Sequence, residues 1–81
     1  MTLFDFKLLD DAAQIDLVYR EGVYIGKRRV IDQHVLLYQV EGYYVELFYK
    51  KYRHSVVAIK SSAMTEILDP YLEQIEVVDW V

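Results

Sequence analysis

The chain has no cysteine, one proline and three glycines among its 81 residues. The absence of cysteine excludes a disulfide scaffold and a thiolate metal site, and it is typical of a protein from a reducing compartment. The glycines, at positions 22, 26 and 42, are too far apart to form a loop that cradles a phosphate group. With 54% hydrophobic residues and little proline, the sequence predicts one globular domain over residues 1–81.

The sequence also lacks the segments that direct a protein to membranes. No apolar run approaches the roughly 20 residues of a membrane span. The first residues, M-T-L-F-D-F-K, have no basic stretch followed by a long apolar one, so no signal peptide is predicted. Nine Lys and Arg against thirteen Asp and Glu give a net charge of −4, which disfavours non-specific binding to nucleic acid. We expect a cytoplasmic protein that binds no membrane and for which nucleic acid is a disfavoured partner.

Tyrosine, in contrast, is abundant in one stretch, residues 35–51. It reads V-L-L-Y-Q-V-E-G-Y-Y-V-E-L-F-Y-K-K, which is typical of a β-hairpin whose two-residue connection is Glu41-Gly42. This connection predicts a positive φ at Gly42. It also predicts a register in which Val40 faces Tyr43, Tyr38 faces Val45 and Leu36 faces Leu47.

The register divides the hairpin into two faces. The better candidate for the core face carries Leu36, Tyr38, Val40, Tyr43, Val45, Leu47 and Tyr49. The other face is mixed, and its apolar part consists of Val35, Leu37, Tyr44 and Phe48. Aromatic residues with a charged rim are typical of protein interfaces. We therefore predict that these four residues form an interface, most simply in a homodimer, although another protein is a possible partner and a helix of this chain is the alternative cover.

Helices and further strands are predicted around the hairpin. Asp11 is the expected N-cap of a helix over residues 10–21, and Gly22 is expected to end it in a left-handed conformation. Strands are predicted over 23–30, 34–40, 43–51 and 55–60, and Thr65 is predicted to cap a final helical segment. That segment has an apolar stripe interrupted by Pro70: Ile67, Leu68, Tyr71, Leu72 and Ile75. The fold class is α+β, with an N-terminal helix, an antiparallel meander of three or four strands and a C-terminal helix packed on the sheet.

The first strand has two possible registers. A three-residue turn places Gly26 opposite Tyr38 and Lys27 beside Leu37, whereas a two-residue turn moves Lys27 and Arg29 to the core face. Because unpaired charges in a core are costly, the three-residue turn is favoured. It leaves Arg28 without an explanation.

Most of the basic residues cluster at one end of the predicted sheet. We call this cluster the basic pole: Lys27, Arg28, Arg29, Lys50, Lys51 and Arg53, with His34 and His54 beside them. Cations interleaved with tyrosines favour an anion or single-stranded nucleic-acid site. The alternative is a solvated end of the sheet that protects its edges.

No pattern indicates catalysis. The two histidines lack metal-ligand spacing, and His54-Ser55 lies in no nucleophile motif such as G-x-S-x-G. We therefore predict no catalytic residue, no metal and no cofactor, and a protein that is not an enzyme.

Four segments together resemble a family of short uncharacterised bacterial proteins. They are G-V-Y-I-G-K-R at 22–28, L-L-Y-Q-V at 36–40, Y-V-E-L-F-Y at 44–49 and L-D-P-Y-L-E-Q-I at 68–75. The family has no assigned activity, so the resemblance implies no functional residues. It implies a stand-alone bacterial cytosolic protein. The leading hypothesis is a non-enzymatic interaction module that self-associates, and the alternative is an anion or single-stranded nucleic-acid binder.

Overall fold

The fold is a four-stranded antiparallel meander with helices before and after it. The computed structural model describes residues 1–50 and 55–71. Two helices, Leu3–Lys7 (α1) and Asp11–Glu21 (α2), precede the strands Val23–Val30 (β1), Gln33–Val40 (β2), Tyr43–Lys50 (β3) and Val56–Ser62 (β4). The strands lie in the order β1-β2-β3-β4, and a short 3₁₀ helix, Thr65–Leu68, follows.

This arrangement confirms the α+β class and the meander. It also establishes residues 56–62 as the fourth strand, slightly later than the predicted 55–60. The helix α1 was not predicted, because five residues are too few to show a helical period. The predicted turn at 52–54 and the tail after residue 71 lie outside the described residues.

Side-chain caps define where the first two helices begin. The Thr2 hydroxyl accepts a hydrogen bond from the Asp5 N–H at 3.2 Å at the start of α1. The Asp10 carboxylate accepts one from the Ala13 N–H at 2.8 Å at the start of α2. The prediction that Asp11 is the N-cap was therefore wrong by one residue, because Asp10 has the extended backbone that lets a side chain reach the third helical residue.

Gly22 ends α2 for a different reason from the predicted one. Its backbone is extended, with φ −78° and ψ 145°, so the predicted left-handed conformation was wrong. The requirement for glycine is instead one of space. A Cβ at this position would lie 2.5 Å from the Val18 carbonyl oxygen, which accepts the Gly22 N–H.

The β2–β3 hairpin has the predicted register. Val40 pairs with Tyr43, Tyr38 with Val45 and Leu36 with Leu47. The positive φ of the turn is at Glu41, at 50°, whereas no glycine has a positive φ. The expectation that Gly42 is left-handed was therefore wrong.

The β1–β2 register is the one that the sequence argument rejected. Val30 pairs with Gln33 across a two-residue turn, and Lys27 pairs with Leu36. A bulge between Tyr24 and Gly26 realigns the first half of β1. The argument failed because Lys27 stays exposed on this strand, so the expected cost of burying its charge does not arise.

Helices α1 and α2 cover one face of the sheet. They build the larger core, whose buried members are Phe6, Leu17, Val18, Val40, Tyr43, Val45 and Leu47. Four of these lie on the predicted core face of the hairpin, so this face assignment is confirmed. Gln14 is also buried here, and its side-chain amide donates to the Phe6 carbonyl at 2.9 Å.

On the opposite face, residues that follow β4 contact Leu37 of β2. Ile67 of the 3₁₀ helix and Tyr71, which follows it in helical backbone, pack with Leu37 in a second, smaller core. Thr65 does not cap this segment: its N-cap is Met64, without a side-chain hydrogen bond. The sheet therefore has side chains of this chain on both faces.

None of the helices in the described part of the chain is both long and apolar enough to span a membrane.

Two glycine substitutions test the end of α2. We expect Gly22→Ala to lower the free energy of unfolding by about 1–3 kcal/mol, because its Cβ overpacks against the Val18 carbonyl. Gly42→Ala is the matched control, since its Cβ would meet no atom within 4 Å. Urea denaturation of both variants measures the difference. Equal midpoints would contradict the assigned packing of Gly22.

Candidate basic site

The pairing of β1 with β2 brings half of the basic pole together. Arg29 pairs with His34, and His34 pairs with Tyr49 on the next strand, so these three residues share one sheet face. Lys27 lies two residues before Arg29 and has the same orientation. The C-terminal end of α2 reaches this face at Tyr19, whose hydroxyl is hydrogen-bonded to that of Tyr49.

A depression of about 300 Å³ lies at this end of the sheet. Its lining residues are Lys27, Arg28, Arg29 and His34. Lys27 and Arg29 are exposed, while Arg28 and His34 are half-buried. Lys50 pairs with Gln33 beside this group, and Lys51, Arg53 and His54 lie outside the described residues. The structure thus brings the predicted β1 and β2 members of the basic pole around one concave surface.

Arg28 connects the depression to the interior of the protein. Its Nε donates to Oε2 of Glu46 at 3.1 Å, and the Glu46 side chain is only 2% exposed. The two residues lie on the face opposite Lys27 and Arg29, one on β1 and the other on β3. A buried carboxylate must be paired to be tolerated, so Arg28 compensates a charge that is otherwise out of contact with water.

Tyr71 completes this cluster from the C-terminal segment. Its hydroxyl donates to the same Glu46 oxygen, Oε2, at 2.6 Å. The Arg28 guanidinium lies 5.9 Å from the ring centre of Tyr71 and 5.9 Å from that of Phe48, within cation–π distance of both. A planar cation held between two rings is oriented as well as paired.

The protonation of the cluster follows from its burial. Burial raises the pKa of the Tyr71 hydroxyl well above its ordinary value of 10, and the hydrogen bond to Glu46 raises it further. Burial opposes the charge of Arg28, but its hydrogen bonds with Glu46 and Tyr71 outweigh this and raise the Arg28 pKa. At neutral pH Tyr71 is therefore a donor and Arg28 a cation.

Tyrosines also lie on the helix-covered face that carries Lys27 and Arg29. Tyr24 and Tyr38 contact each other edge to face, with ring centres 5.9 Å apart. Burial raises the pKa of Tyr49, as does its hydrogen bond to Tyr19. Tyr19 and Tyr24 are more than half exposed. Aromatic surface is thus available close to Lys27 and Arg29.

The residues predicted to form an interface occupy two environments. Val35 and Leu37 have no exposed surface in the folded chain, and Leu37 packs with Ile67 and Tyr71. Tyr44 and Phe48 are half-buried. Contact of Leu37 with a second protein therefore requires displacement of Ile67 and Tyr71.

Sequence reasoning missed the cluster of Arg28, Glu46 and Tyr71. The signal was present, since Arg28 had no role and Glu46 sat among apolar neighbours on the mixed face. The three-residue turn concealed their relation by placing Lys27, rather than Arg28, on the face of Glu46. Tyr71 could be assigned only to an apolar helical stripe.

Within residues 1–50 and 55–71, no three His, Asp or Glu side chains are grouped so that they could hold a metal ion. Comparison with protein-family models, with curated proteins and with solved structures gave no match. The resemblance to short bacterial proteins therefore stays a prediction.

Two tyrosine substitutions test the cluster. Tyr71→Phe should lower the free energy of unfolding by about 1–3 kcal/mol, because buried Glu46 loses a donor. Tyr43→Phe is the matched control: Tyr43 is 2% exposed, and its hydroxyl has no hydrogen-bond partner among the described residues. Its removal should be neutral or slightly stabilising. Thermal denaturation compares the two, and a larger loss for Tyr43→Phe would contradict this assignment.

Proposed function

We propose that this chain is a non-enzymatic binding module that holds a short phosphate-bearing ligand at the basic pole. The supporting observation is the concave surface of about 300 Å³ lined by Lys27, Arg28, Arg29 and His34. Two arginines, one lysine and one histidine line it, and Arg28 is also paired with Glu46. Arginine and lysine donors of this kind recognise phosphate and carboxylate oxygens.

The volume of the depression favours a small ligand. Ligand pockets range from about 300 to 1,000 Å³, so this one accommodates a phosphate group with a modest attached group. The charge of the whole chain favours the same conclusion. With thirteen acidic residues and a net charge of −4, a long polyanion is repelled away from the basic pole. A nucleotide or the end of a single strand avoids most of this field.

Aromatic neighbours favour a ligand that also has a flat ring. Tyr49 shares its face with His34 and Arg29, and Tyr19 is hydrogen-bonded to it from α2. A base stacked on a tyrosine contributes about 1–3 kcal/mol in single-strand binding proteins. Two deeply buried ionisable groups, Glu46 and Tyr71, are hydrogen-bonded to each other, which supports a structural rather than a catalytic use.

Fluorescence anisotropy with a short labelled oligothymidylate at about 50 mM salt tests this proposal. We expect the affinity to fall as the salt concentration rises. We also expect unlabelled nucleotide and inorganic phosphate to displace the labelled oligonucleotide. In Lys27→Ala/Arg29→Ala the affinity should fall, and the log–log salt slope should flatten by about 0.7 for each lost contact. Competition by nucleotide but not by phosphate would show that the base contributes.

Lys7→Ala is the matched control, because Lys7 is an exposed cation in the last turn of α1 and outside the basic pole. It should bind like the unmodified protein. Equal losses in both variants would indicate a general charge effect and contradict a site at the basic pole. Absence of binding at high micromolar protein would also contradict it.

Self-association is the second candidate function. The supporting observation is an exposed apolar pair, Phe4 on α1 and Leu8 at the C-cap of α1, which are 73% and 72% exposed. They lie one turn apart and therefore on the same side of the helix. The packing of Ile67 and Tyr71 on Leu37 supports the predicted C-terminal helix on the sheet, and moves the favoured interface from the mixed face to α1.

A solution mass measurement tests self-association. We expect a dimer at high micromolar concentration, and a monomer for Phe4→Lys/Leu8→Lys, because the substitution places charges in the apolar contact. Val57→Lys is the control for added charge at another exposed apolar position, 46% exposed on β4. A monomer for the unmodified protein would contradict this candidate.

A further inference from the structure

We infer that a ligand bound at the basic pole loosens the C-terminal segment, residues 65–71, through the chain of contacts Arg28–Glu46–Tyr71. This inference rests on the proposed function, because it concerns the regulation of the same site.

Arg28 belongs both to the lining of the depression and to the buried cluster with Glu46 and Tyr71. It lines the depression together with Lys27, Arg29 and His34, and its side chain is 25% exposed there. Its Nε is at the same time the donor to the buried carboxylate of Glu46. A phosphate group in the depression and the Glu46 carboxylate are therefore two anions that compete for one guanidinium.

Glu46 links this competition to the C-terminal segment, because one of its oxygens accepts hydrogen bonds from both Arg28 and Tyr71. Oε2 accepts from Arg28 at 3.1 Å and from Tyr71 at 2.6 Å. If Arg28 turns toward a ligand, a carboxylate that is 2% exposed loses its paired cation. An uncompensated buried charge is strongly unfavourable, and opening of the surrounding structure to water relieves it.

The part of the structure that can open is the C-terminal segment. Tyr71 covers Gly26 of β1, where its ring lies 3.1 Å from the position of a Cβ, and it also stacks on Arg28. Movement of Arg28 thus removes a stacking contact of the same tyrosine. Among the described residues, Ile67 and Leu68 of this segment also pack in the small second core.

Linkage requires the effect to be reciprocal. If ligand binding lowers the equilibrium constant for docking of residues 65–71, undocking of these residues must raise the ligand affinity by the same factor. Removal of the Glu46 charge should therefore strengthen binding, because Arg28 then offers its full charge to the ligand. If Glu46 instead positions Arg28 for the ligand, removal of its charge should weaken binding.

Anisotropy and hydrogen exchange on the full chain test this inference. Glu46→Gln should bind the labelled oligothymidylate about two- to fivefold more tightly, the range expected for release from one partly exposed ion pair. In the unmodified protein, saturating oligothymidylate should accelerate amide exchange in peptides covering residues 65–71. Lys27→Ala/Arg29→Ala, at the same ligand concentration, should show a smaller acceleration in proportion to its occupancy.

The outcomes separate the inference from the proposed function. Weaker binding by Glu46→Gln, or unchanged exchange over residues 65–71 at saturation, would overturn the coupling and leave a simple binding module. Absence of binding by the unmodified protein would overturn both. If Glu46→Gln does not fold, the exchange measurement on the unmodified protein decides.

Discussion

The burial of one carboxylate, that of Glu46, determines much of this structure. An ionised side chain that is 2% exposed is stable only if cations and donors surround it. Here they come from distant parts of the sequence, Arg28 on β1 and Tyr71 after the 3₁₀ helix. Satisfying this group therefore links an edge strand and the C-terminal segment to the third strand of the sheet. A substitution that removes one partner affects all three elements.

The same constraint explains why the two sheet faces differ. The face under α1 and α2 is an apolar core. It tolerates the Tyr43 hydroxyl, which has no hydrogen-bond partner among residues 1–50 and 55–71, because the apolar packing around it is extensive. In the part of the chain that the structure describes, the other face has a smaller buried cluster of Leu37, Ile67 and Tyr71, next to the hydrogen-bonded group of Arg28, Glu46 and Tyr71. Specific polar contacts therefore contribute more to this face than to the other.

The sequence predicted the features that depend on local patterns. The strand limits, the β2–β3 register and the core face follow from alternation around Glu41-Gly42, and the structure agrees. The β1 register could not be obtained this way, because it depends on a bulge at Tyr24 and on whether helices cover Lys27. The basic pole was identified as a cluster in advance. Its link to Glu46 and Tyr71 was not, since that link requires the correct register and a contact between residues far apart in sequence.

The contact between Gly26 and Tyr71 has a consequence for how the chain folds. The ring of Tyr71 occupies the space that a side chain on Gly26 would need, so a slip of β1 by one residue would bring Lys27 or Ile25 against it. The contact with Tyr71 therefore disfavours a shifted alignment of the edge strand. Because closing a long loop costs more entropy than closing a hairpin, we expect the β2–β3 hairpin to form before this contact does.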